Sequence, residues 1–175
     1  MKIVAGSVVV AALAAGLVWA STPDTKVEMK GLHLCCGSCE GAATKALEGT
    51  GAKMVVTDKA AGTLTFMVKD AKVAQKAFDG LAAAGLHGDS GVKGLGIKDD
   101  SGVKPGKIKT LKLSGVHNCC GGCTKPLKAA IEKVGGVTGT DLVDKATTFT
   151  VHGDFDGAEL IKAINDAGYH AKAAK

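Results

Sequence analysis

The sequence predicts an α+β protein built from two copies of one small module, each ordered β-α-β-β-α-β. Three observations lead there. Residues 31–39 recur at 115–123, with Cys119 standing 84 residues after Cys35. Within each copy the apolar spacing changes from alternate residues to helical spacing and back, in the same order. A stretch rich in Gly, Lys and Asp separates the copies, as a connector does.

The repeat sets Gly31-Leu32-His33-Leu34-Cys35-Cys36-Gly37-Ser38-Cys39 over Gly115-Val116-His117-Asn118-Cys119-Cys120-Gly121-Gly122-Cys123. Farther along, Phe66-Met67-Val68 aligns with Phe149-Thr150-Val151, and Ala84-Gly85-Leu86-His87 with Ala167-Gly168-Tyr169-His170. Self-similarity over this length marks a tandem duplication. The modules are expected at 26–90 and 109–173, with a flexible linker at 91–108.

Each copy opens with alternating apolar residues, Val27 and Met29 or Leu111 and Leu113, which read as a strand running into the cysteine loop. Leu127, Ile131 and Val134 then recur at helical spacing, and Pro126 is expected in the first turn, where a missing N–H is harmless. Ala43, Ala46 and Leu47 mark the same helix in the first copy. Two strands follow, at Met54-Val55-Val56 with Leu64, Phe66 and Val68, and at Leu142-Val143 with Phe149 and Val151. A second helix carries Ala74, Ala77, Phe78 and Leu81, or Leu160, Ile161 and Ile164, on one face. It stops at Gly85 or Gly168, and a short last strand completes a ferredoxin-like arrangement.

Composition narrows the function. The 175 residues hold 46% apolar side chains, enough for a core, but only 3% aromatic ones. All 22 basic residues are lysine and the net charge is +5. Nucleic-acid recognition draws on arginine forks and aromatic stacking platforms, so no nucleic-acid partner is expected. Residues 1–20 place Lys2 before an apolar run ending Val18-Trp19-Ala20, the pattern of a signal peptide cut after Ala20. Export to a periplasmic or extracellular location follows, with membrane attachment only if that segment stays uncut as an anchor.

The six cysteines fall into two tight clusters. Cys36 and Cys39, like Cys120 and Cys123, have the C-x-x-C spacing at a passage from strand to helix. That spacing converges two sulfurs, and a helix N-terminus favours the thiolate. Thiolates so placed ligate Cu(I), Zn(II) or a heavier thiophilic ion such as Hg(II). Cys35 and Cys119 add a third sulfur, and His33 and His117 an imidazole, giving the three-sulfur, one-nitrogen set that zinc accepts. All three sulfurs meet only if the loop bends, a task assigned to Gly37 and Gly121-Gly122.

A β-α-β-β-α-β module with C-x-x-C between its first strand and first helix resembles the heavy-metal-associated domain of copper chaperones, copper-exporting ATPases and periplasmic mercury-binding proteins. The resemblance covers nearly all of the chain after residue 20. It implies metal-ligand roles for Cys36, Cys39, Cys120 and Cys123, and a glycine-tyrosine pair before the last strand, matched by Gly168-Tyr169. The family's loop methionine is Leu32 or Val116 here, and the extra cysteine and histidine have no counterpart in the usual motif. The ion is therefore not transferable from the family.

The chain is expected to be a metal-binding protein that captures or buffers an ion and passes it to a metal transporter or acceptor protein. No enzyme is expected, because both repeats carry one cysteine loop and no catalytic constellation accompanies it. The modules either bind one ion each or face one another and share metal through six sulfurs. The alternative is a disulfide-containing thiol-redox or interaction protein without metal. His87 and His170, recurring at the module ends, either line the metal loop from behind or are ordinary strand residues.

Overall fold

The computed structural model describes residues 24–174, and the expected signal at 1–20 lies outside them. The first module comprises β1 (Thr25–Met29), α1 (Gly37–Ala46), β2 (Lys53–Asp58), β3 (Thr63–Val68) and α2 (Ala71–Ala83). The second comprises β4 (Lys107–Ser114), α3 (Gly121–Glu132), β5 (Val137–Thr140), β6 (Thr148–Asp156), α4 (Gly157–Asp166) and β7 (Lys172–Ala173). Among the described residues no helix is long and apolar enough to cross a membrane.

Both sheets are antiparallel, ordered β1-β3-β2 and β5-β6-β4-β7. The second has the complete ferredoxin-like order. In the first, the expected last strand shrinks to one bridge, with Lys30 N donating to the Asp89 carbonyl at 2.8 Å and Asp89 N returning a bond at 2.9 Å. The reason is local: Asp89 and Ser90 turn their side chains onto the backbone N–H groups of Gly91 and Val92, an alternative to strand pairing. The strand expected at Leu142-Val143 lies earlier, at β5, while Leu142 is buried outside it and Val143 is exposed.

Alternation decides which strand faces are buried. Leu64, Phe66 and Val68 of β3 point inward with Val27 and Met29 of β1, and α2 lays Val73, Ala74, Ala77, Phe78 and Leu81 over them. Phe66 and Phe78 meet edge to face at 6.2 Å. In the second module Leu160, Ile161 and Ile164 of α4 do the same work with Phe149, Val151 and Phe155 of β6. Each such side chain contributes roughly 1.5–3 kcal/mol by leaving water. Asp70 and Asp156 cap α2 and α4, accepting from Val73 N and from Ala158 N and Glu159 N.

The modules pack against each other, and their buried apolar residues form one continuous cluster. Gly85 and Gly168 make this docking fit. A Cβ on Gly85 would stand 2.3 Å from the Gly115 carbonyl oxygen and from His117 N; one on Gly168 would stand 2.4 Å from His33 N. Both residues also have positive φ, +76° and +90°, so glycine is required twice over. The Gly85 carbonyl accepts from His117 N and His170 N, the Gly168 carbonyl from His87 N, and Leu86 pairs with Tyr169.

The connector carries no helix or strand before Lys107, yet it is fastened at both ends. Gln75 Nε2 donates to the Gly96 carbonyl and Ala173 N to the Ser101 carbonyl. Leu95, Ile97 and Val103 pack on the core. It is a strap laid over both modules rather than a free spacer.

Candidate metal centre

The docking brings both cysteine loops to one place. Each strand leaves the sheet through a positive-φ glycine, Gly31 or Gly115, and the loop then enters its helix at a cysteine. Gly37 and Gly121-Gly122, expected to make the bend, instead form the first helical turns of α1 and α3 with no positive φ. The bend thus lies earlier, at the strand exits. Cys36 and Cys120 occupy the N-cap positions with extended backbone and no side-chain cap bond.

All six sulfurs converge. Within the loops Cys35 Sγ lies 3.6 Å from Cys39 Sγ, Cys36 Sγ 3.7 Å from Cys39 Sγ, and Cys119 Sγ 3.6 Å from Cys123 Sγ. Between modules, Cys35 reaches Cys123 at 3.5 Å and Cys120 at 3.8 Å, while Cys119 reaches Cys36 at 3.5 Å and Cys39 at 3.7 Å. Cys39 and Cys123 face each other at 3.7 Å, both buried. A disulfide requires about 2.05 Å, so these are six free thiols. A tetrahedral ion with ~2.3 Å bonds to sulfur sets its sulfurs about 3.8 Å apart, close to the separations found.

The histidines of both loops belong to the cluster. Ligand atoms of His117, Cys39, Cys119 and Cys123 all lie within 4.8 Å of one another, as do those of His33, Cys35 and Cys123. A third group within that limit is Cys35, Cys36 and Cys120. Nε2 of His33 and of His117 is buried without a hydrogen-bond partner. A buried polar atom left unpaired is costly, and a metal ion is one partner that satisfies it.

The electrostatics sort the cysteines into two kinds. Backbone N–H groups at the start of α1, chiefly that of Cys39, and the Cys119 thiol pull Cys36 down to about 6. The N–H groups of Gly122 and Cys123 lower Cys120 likewise. Burial raises Cys35 and Cys119, with the neighbouring sulfurs adding to it, and burial also raises Cys39. Burial holds His33 and His117 below the usual range, hence neutral with a lone pair available.

Pro126 bears on this site. It sits in the second turn of α3, not the first, and has no N–H for the Gly122 carbonyl four residues back. That carbonyl lies near the His33 ring across the interface and partly offsets the effect of burial on it. His33 also stacks on Tyr169 at 4.7 Å, and the Tyr169 hydroxyl donates to the Cys123 carbonyl at 2.8 Å.

Two residues outside the expected set secure the second loop. Asn118 is buried; its amide donates to the Val143 and Ala146 carbonyls at 2.9 and 3.0 Å, and its oxygen accepts from Thr124. Departure from the first repeat, where Leu34 stands, is the only signal the sequence offers for it. His87 and His170 do not reach the sulfurs. They stack on each other at the module interface, Nδ1 to Nδ1 at 3.5 Å, with His170 Nε2 on Asp100 at 2.7 Å.

No protein-family profile matches the chain. Among solved structures it is similar to oxidized MerP from Ralstonia metallidurans CH34, at 31% identity over 38% of this chain and 97% of that one, TM-score 0.36. It is also similar to a copper binding domain from HMA7, a P-type ATPase, at 20% identity over 39% and 96%, TM-score 0.36. A third likeness is to the N-terminal soluble domains of Bacillus subtilis CopA, at 16% identity over 86% and 94%, TM-score 0.32. The Cys-x-x-Cys pair stands between the first strand and first helix of both modules, the placement in which the chain resembles the heavy-metal-associated domain.

Proposed function

We propose that this protein captures a soft or borderline metal ion between its two modules and releases it to an acceptor by thiolate exchange. The observation that carries the reading is the convergence of six free sulfurs and two partnerless imidazoles from both loops on one centre. Cu(I), Zn(II) and Hg(II) all suit a sulfur-rich ligand set of this kind. Cys35 is the exposed sulfur of the six, and Cys36, Cys119 and Cys120 are partly buried. In transfer, an acceptor thiolate forms a bond to the ion as a bond to one of the chain's own cysteines breaks, so the charge at the ion is kept. The copper binding domain of a P-type ATPase among the similar structures supports a metal transporter as acceptor. The signal-like segment at 1–20 supports export, and the duplicated loop supports a binding protein rather than an enzyme.

Titration of the reduced full chain with Cu(I) or Zn(II) against a chromophoric chelator tests the reading. Tight binding that disappears when the six cysteines become serine is expected; wild-type binding no stronger than that variant's contradicts it. The thiol-redox alternative draws on the lowered Cys36 thiol beside Cys39. Thiol titration of natively isolated protein separates the two, since metal holding needs reduced cysteines and the redox reading predicts a Cys36–Cys39 disulfide.

A further inference from the structure

We propose that the centre holds two divalent ions side by side, bridged by the thiolates of Cys39 and Cys123. This rests on the metal-binding reading and specifies how many ions the centre takes and how they share ligands. The sulfurs form three triangles: Cys36, Cys39 and Cys119 make one, at 3.5–3.7 Å, and the other two share an edge. Cys39, Cys123 and Cys119 are separated by 3.6–3.7 Å, and Cys39, Cys123 and Cys35 by 3.5–3.7 Å. The shared edge joins one buried cysteine from each module.

Each of the two triangles on that edge has its own histidine on the outer side. His117 lies within ligand distance of Cys39, Cys119 and Cys123, and His33 within ligand distance of Cys35 and Cys123. The His117 position therefore offers three sulfurs and one nitrogen, a closed tetrahedral set, while at the second position His33 closes with Cys35 and Cys123 and Cys39 stands farther from the imidazole. His33 and His117 fall in separate ligand groups, so a single ion in either position leaves the other imidazole Nε2 buried and unpaired.

Charge gives the same answer. Cys35, Cys39, Cys119 and Cys123 as thiolates carry four negative charges, and two neutral imidazoles carry none. Two divalent ions balance them and leave a neutral core, which a half-buried site tolerates far better than an uncompensated charge. One divalent ion leaves a net charge of about −2, and two monovalent ions leave the same residue. Cys36 and Cys120 lie outside the two triangles that share the Cys39–Cys123 edge.

Cobalt(II) is the probe, because two high-spin ions joined through a thiolate couple magnetically and lose EPR intensity. The reduced full chain, loaded to saturation, is expected to show two Co(II) per chain by native mass spectrometry. EPR intensity per cobalt should be several-fold below that of an isolated tetrahedral site. Cys39→Ser, which leaves Cys123 as the one remaining bridge, should weaken the coupling and the hold on both ions. Saturation at one ion, full EPR intensity per cobalt, or undiminished coupling in Cys39→Ser overturns the bridged pair while leaving metal binding standing. A wild-type chain that takes up no cobalt, zinc or copper overturns the metal-binding reading itself. If Cys39→Ser does not fold, the wild-type spectrum alone decides.

Discussion

The two modules hold the same cysteine loop on different supports. In the second, buried Asn118 ties the loop to Val143 and Ala146, and the sheet has four strands. In the first, the matching position is Leu34, which is buried in the core, and the sheet has three strands. Tyr169 gives His33 a stacking partner, whereas the matching Leu86 gives His117 none. Despite these differences the sulfurs are placed alike: Cys35–Cys39 and Cys119–Cys123 are both 3.6 Å apart. What the modules have in common is the reciprocal docking through Gly85 and Gly168, and the site geometry follows from that.

The strongest way to break this equivalence is therefore to block the docking. Gly168→Ala would press a Cβ to 2.4 Å from His33 N and 2.6 Å from the Gly31 carbonyl oxygen, in a residue whose φ is +90°. Backbone lies on both sides, so no side chain can yield. A loss of about 3 kcal/mol or more is expected in chemical denaturation, together with loss of tight metal binding. Gly41→Ala is the contrast: it sits within α1, where an added Cβ meets nothing within 4 Å, and should gain about 0.5–1 kcal/mol.

Exchanging the two anchors sharpens the comparison at smaller scale. Asn118→Leu copies the first module into the second and strips hydrogen bonds from two carbonyls and from the Thr124 hydroxyl; a cost of about 1–3 kcal/mol is expected. Leu34→Asn places an amide among apolar neighbours and should cost at least as much. Denaturation midpoints unchanged in both variants would show that neither residue anchors its loop.

The smallest expected effect separates the interface from the metal loops. Burial, with the His170 ring close by, lowers His87 to about 4 from 6.5, against the opposing pull of Asp166, Asp89 and Asp99. Because the folded value is the lower one, the unfolded chain binds the proton first as pH falls. Stability of the metal-free protein should decline between pH 6.5 and about 4, by an amount on the order of 1 kcal/mol after solvent screening. Replacing His87 with Gln should flatten that part of the profile; an unchanged slope would remove His87 as its source.

Much of this was legible because the repeat shows everything twice. The alternation of Leu64, Phe66 and Val68, the helical spacing of Leu127 and Ile131, and the C-x-x-C at the strand-to-helix junction each follow from local rules that one module satisfies by itself. The docking was not legible. Gly85 and Gly168 read as helix stops, and only the opposing loop reveals that they also permit close approach. Pro126 stands a turn later than expected, at the cost of one helical hydrogen bond to the Gly122 carbonyl. The last strand of the first module failed because Asp89 and Ser90 bond locally. The docking miss concerns contacts between segments distant in sequence, and the strand miss concerns bonds within one turn.

That two loops make one centre, rather than two, is tested most directly by native mass spectrometry of the reduced full chain carrying Cys36→Ser and Cys39→Ser, loaded with Zn(II) under chelator competition. Cys39 belongs to all three sulfur triangles and lies within ligand distance of His117. The account predicts that tight binding is lost from the second module as well as the first, although all of the second module's own ligands remain. A chain that still holds zinc at its second loop with wild-type affinity would contradict it.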